Sequence, residues 1–107
     1  MEFKDTVFIG EMYIKSCFDG GIPVSYILYT TQQKSAAILW AMYTVPEFRR
    51  KGFAESLITE IKFLFSKIET QVATEQSESL LFKCGFKKGL NSYVWESQAL
   101  KQSYKKE

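Results

Sequence analysis

Apolar and polar positions along the chain follow two different periods, and the change comes at Pro46. Before it the texture is that of strands. "TVFIGEMYIKSCF" (Thr6 to Phe18) and "IPVSYILYT" (Ile22 to Thr30) are rich in β-branched and aromatic residues, which fit a pleated, half-buried surface. Asp19-Gly20-Gly21 separates them, and glycine there accepts the positive φ that a tight hairpin turn requires. "TQQKS" is a second polar connection. "AAILWAMYT" (Ala36 to Thr44) is then almost continuously apolar, which predicts a central strand buried on both faces. Three strands on short turns make an antiparallel meander.

After Pro46 the period lengthens. Ala54, Leu57, Ile58, Ile61, Leu64 and Phe65 recur at spacings of three and four, the single apolar face of a helix running to about Lys67. Period two returns over Ile68 to Thr74, a strand. Ser77 to Cys84 reads as a short helix, with Ser77 as its N-cap and Gly85 as its C-terminal glycine, and Ser92 to Ser97 as a last strand. The predicted order is β-β-β-α-β-α-β: an α+β fold with a mixed sheet, in two or three layers, antiparallel first and parallel around the long helix. Residues 1–97 form one domain and 98–107 a polar tail, expected to fray.

Composition narrows the chemistry. Of 107 residues 46% are hydrophobic and 16% aromatic, a globular composition. No apolar run approaches the roughly 20 residues of a membrane span, and "MEFKDTVF" lacks a signal-peptide layout, so the expected setting is cytoplasmic, with no membrane partner. There is no histidine, and the two cysteines, Cys17 and Cys84, stand far apart. A zinc site of the usual Cys/His kind and a His-based triad are excluded, no metal is expected, and the cysteines read as reduced, buried thiols. Carboxylates, Lys, Tyr, Cys or water remain as general bases. The net charge of +2 is too small to argue for nucleic acid.

One segment exceeds what a turn needs. In "MYTVPEFRRKGFAESLI" (Met42 to Ile58), Arg49, Arg50 and Lys51 stand directly before Gly52. A helix opening there presents unpaired N–H groups and the positive end of its dipole, which suits phosphate. Gly52 and the small Ala54 keep a close approach clear. The alternative is a solvated basic turn. No P-loop or dinucleotide-binding glycine pattern is present.

The same residues resemble the acyl-CoA-binding motif of the GNAT superfamily of N-acetyltransferases, Gln/Arg-x-x-Gly-x-Gly/Ala, met by Arg49, Gly52 and Ala54. The lead-in from Tyr43 to Arg49, with its Pro46-Glu47-Phe48, is similar to the wording of one branch of that superfamily. "TEQSESLLFKCGF" (Thr74 to Phe86) is similar to the family's helix that ends in Gly-Phe or Gly-Tyr. The resemblance spans roughly residues 38–94. It implies acetyl-CoA as co-substrate. The backbone of Met42, Tyr43 and Thr44 would bind the pantetheine arm where two strands splay, and the N–H groups of Arg50, Lys51, Gly52, Phe53, Ala54 and Glu55 would hold the pyrophosphate, with Arg49 beside them.

The resemblance implies direct attack of an amine on the thioester. The family's usual tyrosine acid falls at Leu81, its asparagine at Thr74, and the central strand carries no carboxylate. Glu69 is a candidate base and Tyr43 a candidate acid. Against these stand a solvated strand residue and a core aromatic. The family's initial strand and two helices have no counterpart before the hairpin. This implies an open acceptor site suited to a protein or peptide amine, or one completed by a second copy in a homodimer. The alternatives are a degenerate member that binds CoA and acts through protein contacts, and a small basic binding or inhibitor protein.

Overall fold

The computed structural model describes residues 1–71 and 75–99. Its element order is β1 (Glu2–Ile9), β2 (Met12–Asp19), β3 (Ile22–Gln32), β4 (Ala36–Thr44), a short 3-10 turn (Pro46–Phe48), α1 (Phe53–Leu64), β5 (Lys67–Thr70), α2 (Glu75–Lys83), β6 (Lys87–Lys88) and β7 (Tyr93–Glu96). The seven strands form one sheet in the order β1-β2-β3-β4-β5-β7-β6. β1 to β4 are an antiparallel meander, β4 and β5 run parallel, and β7 is antiparallel to both β5 and β6.

The mixed α+β sheet matches the sequence pattern, with four differences. The first apolar run is two strands, because Gly10, at φ 56°, turns the chain between Ile9 and Met12. α1 ends at Leu64 rather than near Lys67. Phe65 is extended, and the N–H groups of Ser66 and Lys67 donate to the Ser35 carbonyl, at 2.8 and 3.1 Å. Phe65 still reaches the core, edge-on to Tyr29. α2 begins at Glu75, which puts Ser77 inside the helix rather than at its cap. Its C-terminus is as expected: Gly85 takes φ 89°, and the N–H groups of Gly85 and Phe86 return to the carbonyls of Phe82 and Leu81, the paired bonds of a Schellman ending. The short β6 has no signal in the pattern. The expected extension of β5 over Val72 to Thr74 and the tail from Leu100 onward lie outside the described residues.

The fold has two layers. Successive crossovers, β4 to β5 and β5 to β6, proceed in one direction, and right-handed connections then put both helices on one face. Lys62 of α1 donates to the Cys84 carbonyl at the end of α2, and Glu55 of α1 pairs with Lys83 of α2 at 3.1 Å. Beneath them Ile27, Leu39, Leu57, Ile58, Ile61, Ile68 and Leu81 form one core. Lys15 is buried there and donates to Asp5 at 2.9 Å. The Tyr29 hydroxyl donates to the same carboxylate, and burial first, then Asp5, pushes its phenol up. Cys17 and Cys84 are free and buried, and burial raises both thiols.

The expectation that β4 is buried on both faces fails. Only its helix-side residues Ala37 and Leu39 are in the core. On the opposite face Trp40 is 56% and Tyr43 42% exposed.

Candidate acyl-CoA site

β4 changes character at Leu39. Up to that residue it is paired on both sides, with β3 and with β5, and among the described residues the parallel ladder runs from Ala36↔Lys67 to Leu39↔Thr70. There the buried Thr70 hydroxyl donates to the Leu39 carbonyl at 3.0 Å. Trp40 is a bulge: Leu28 pairs with Ala41 and Tyr29 with Leu39, leaving Trp40 unopposed. Bulges re-aim a strand and end pairing. From Trp40 to Thr44 the β5-side edge of β4 carries no ladder partner among the described residues.

Register decides which backbone groups that edge presents. Val45 donates to the Val24 carbonyl at 2.9 Å, and the same register pairs Thr44 with Ser25 and Tyr43 with Tyr26. Alternation in an antiparallel ladder turns Tyr43 toward β3 and turns Met42 and Thr44 outward. The Tyr43 carbonyl accordingly accepts the Ser25 hydroxyl at 3.0 Å. Of the three residues expected to offer backbone to a pantetheine arm, Met42 and Thr44 face the β5-side edge. Tyr43 does not.

That edge lines a cavity of about 810 Å³. Its wall continues through Phe48, Arg49, Arg50, Gly52, Phe53, Ala54 and Glu55, and α2 closes it with Gln76, Ser77, Ser79, Leu80 and Lys83. Gly52 is the N-cap of α1 at φ 84°, with no side-chain cap bond, and the first helical bond is Ser56 N–H to the Gly52 carbonyl. The N–H groups of Phe53, Ala54 and Glu55 therefore have no intrahelical acceptor. Arg50 is also left-handed, at φ 63°, a conformation that costs a non-glycine residue about 1–3 kcal/mol and persists where surrounding structure imposes it. Left-handed residues ahead of a helix make a concave row of N–H donors that receives an anion. Phe53, packed edge-on against Phe48, anchors the loop.

The basic residues divide. Arg50 lines the cavity. Arg49 also lines it, but its Nε donates to the Thr44 carbonyl at 3.0 Å and its guanidinium lies 5.7 Å from the Tyr43 ring. Lys51 is not part of the lining; its ammonium stands 5.4 Å from the Phe48 ring. Lys83, which the motif did not reveal, reaches the cavity from α2 and neutralises Glu55, the one carboxylate in the lining. No residue within the loop could have announced it, because the contact joins two helices 28 positions apart.

The two candidate proton carriers are not brought together. Tyr43 lines the cavity. Glu69 pairs with Ile38 and lines a separate cavity of about 150 Å³ with Gln32, Gln33 and Lys67. Five residues of β4, roughly 16 Å of strand, separate the two positions. Leu81 is fully buried in the core and does not line the cavity, and Phe82 packs edge-on against Tyr93. Thr74 lies outside the described residues. Among the described residues no group of three His, Cys, Asp or Glu is arranged to hold a metal, and no helix is long and apolar enough to cross a membrane.

No family model matches the sequence, and no curated protein matches it. Solved structures do. The PaiA N-acetyltransferase from Thermoplasma acidophilum, in complex with coenzyme A, superposes with a TM-score of 0.67 at 18% identity, over 81% of this chain and 60% of its own. A putative GNAT-family acetyltransferase from Desulfovibrio desulfuricans gives 0.69 at 10% identity, over 80% and 69%. The ribosomal-protein alanine N-acetyltransferase from Escherichia coli gives 0.64 at 10% identity, over 78% and 66%. The chain thus spans three fifths of the length of the Thermoplasma protein. The mixed sheet order, the uncapped helix after the basic loop and these superpositions agree: the chain is built on the GNAT N-acetyltransferase fold.

Proposed function

We propose that the protein is an acetyl-CoA-dependent N-acetyltransferase that acts on an amine, a protein or peptide amine in preference to a small metabolite. One observation carries the reading. A β-strand edge with no ladder partner among the described residues and an uncapped helix N-terminus, the two features that suit a pantetheine arm and a pyrophosphate, line the same cavity. Met42 and Thr44 hold the arm as an added strand would be held. The N–H groups of Phe53, Ala54 and Glu55 hold the phosphates, with Arg50 and Lys83 as the surrounding charge.

Bound there, acetyl-CoA supplies the acyl group: an amine attacks its carbonyl carbon, an amide forms, and the thiol leaves. The chain's part is to align the two reactants, which in favourable cases is worth about 7–11 kcal/mol, and to turn an N–H of the β4 edge to the carbonyl oxygen. Tyr43, on the cavity wall, is the proton donor to the departing thiol. Glu69 stands on a separate cavity roughly 16 Å of strand from Tyr43, so the amine gives its proton to water, with Glu69 as the onward acceptor through a chain of waters. The known acceptor of the Escherichia coli neighbour, a ribosomal-protein alanine, is consistent with a peptide amine.

A second reading has its own support. Among the described residues the one carboxylate in the cavity lining, Glu55, is already paired with Lys83, as in a domain that binds CoA without transferring its acyl group. Calorimetry with acetyl-CoA tests the shared element, and no binding at physiological concentration rejects both. Thiol release in the presence of peptide amines, abolished by substitution in the loop from Arg50 to Glu55, selects the enzyme.

A further inference from the structure

The face of the sheet opposite the helices is shaped around the bulge at Trp40. Trp40, on the bulge, donates its indole N–H to the Thr30 hydroxyl at 2.8 Å. The bond lays the ring back over β3, alongside the Thr30↔Ile38 pair. Two rows along, Tyr26 and Tyr43 stand with ring centroids 5.7 Å apart, 39% and 42% exposed. Between these walls the floor is the Leu28↔Ala41 pair, and Ala41 is exposed. Each wall lies one same-face step from the floor, about 7 Å along the strand, which leaves a trough one side chain wide. Its end at β4 lies on the β5-side edge, and Tyr43 belongs both to the trough and to the acyl-CoA cavity.

We propose that this trough is an acceptor subsite, and that it receives an uncharged, apolar side chain adjacent to the amine being acylated. The inference rests on the N-acetyltransferase reading and adds the class of acceptor. Charge selects the occupant. No carboxylate forms a wall or the floor, Glu69 stands beyond Trp40 opposite Ile38, and the cation on the Tyr43 ring is the protein's own Arg49. A polycationic amine would meet that guanidinium. An aliphatic or aromatic side chain gains instead from contact with three exposed rings.

The experiment measures thiol release from acetyl-CoA with two short peptides, one beginning with leucine and one with arginine. Calorimetric acetyl-CoA binding is run alongside on the wild type and on Trp40→Ala, Trp40→Phe and Ala41→Arg. The expected result is a preference for the leucine peptide of at least about tenfold in kcat/KM, the scale on which apolar pockets discriminate. Trp40→Ala and Ala41→Arg raise the KM of the leucine peptide and erase the preference, while kcat and acetyl-CoA affinity hold. Trp40→Phe keeps most of the preference. If acetyl-CoA binds and the two peptides react equally, or neither reacts, or Trp40→Ala leaves the ratio unchanged, the subsite is overturned while the CoA site stands. If the wild type does not bind acetyl-CoA, the underlying reading falls and the subsite with it.

Discussion

Thr70 donates its hydroxyl to the Leu39 carbonyl at 3.0 Å in the buried end of the β4–β5 ladder. The bond satisfies a carbonyl at the last pair of the β4–β5 ladder among the described residues. Thr70→Val keeps the shape and removes the donor. It should destabilise the fold by about 1–3 kcal/mol, the cost of an unsatisfied buried acceptor, read as a lower urea midpoint with unchanged slope.

Lys83 and Glu55 face each other across the cavity at 3.1 Å, both substantially exposed. Lys83→Ala leaves the Glu55 carboxylate beside the anion site. Acetyl-CoA affinity should fall about two- to fivefold, in line with the modest worth of exposed pairs, and the fall should shrink in high salt. Glu55→Gln should act oppositely and tighten binding. Titration calorimetry of the two variants reads both signs.

Gly52 has φ 84°, and a Cβ added there meets no heavy atom within 4 Å. Gly52→Ala should therefore cost only the backbone penalty, about 1–2 kcal/mol. The open space such a Cβ enters belongs to the cavity that Gly52 lines, so acetyl-CoA affinity should fall even at temperatures where the variant is fully folded. Thermal melts and calorimetry separate the two effects. Folding loss with full affinity in the folded fraction would falsify the anion-site assignment.

Glu78 accepts hydrogen bonds from the Tyr93 hydroxyl and from Lys88. The Tyr93 bond first, then Lys88, holds its carboxyl below the usual carboxylate range. A depressed folded-state value means that the unfolded chain takes up the proton first as the pH falls. The contribution is present above the ordinary carboxylate range and is lost as the pH drops through the lowered value. Glu78→Gln should narrow the stability difference between pH 6 and acid. Urea midpoints across that range check it.

Local signals were strong where the physics is local. Gly85 in the family-like ending of α2 was legible because only glycine takes the left-handed position of a Schellman ending without strain. β4 was legible to the residue, from Ala36 to Thr44. Its exposure was misjudged, since an apolar run reads alike whether one face or two is covered. The hairpin at Gly10 was hidden for a related reason: a single glycine in an apolar run signals a bulge as readily as a turn.

By itself the sequence determined the meander from β2 to β4, the long helix and the glycine before its uncapped start, because turn chemistry, helical period and loop residues are written within a few neighbouring residues. The tertiary structure decided the rest. It turned Met42 and Thr44 to the β5-side edge and Tyr43 to β3, carried Lys83 to Glu55, sent Leu81 into the core, and set Glu69 a strand's length from Tyr43. Each depends on register or on packing between segments far apart in the chain, and neither leaves a trace in local composition.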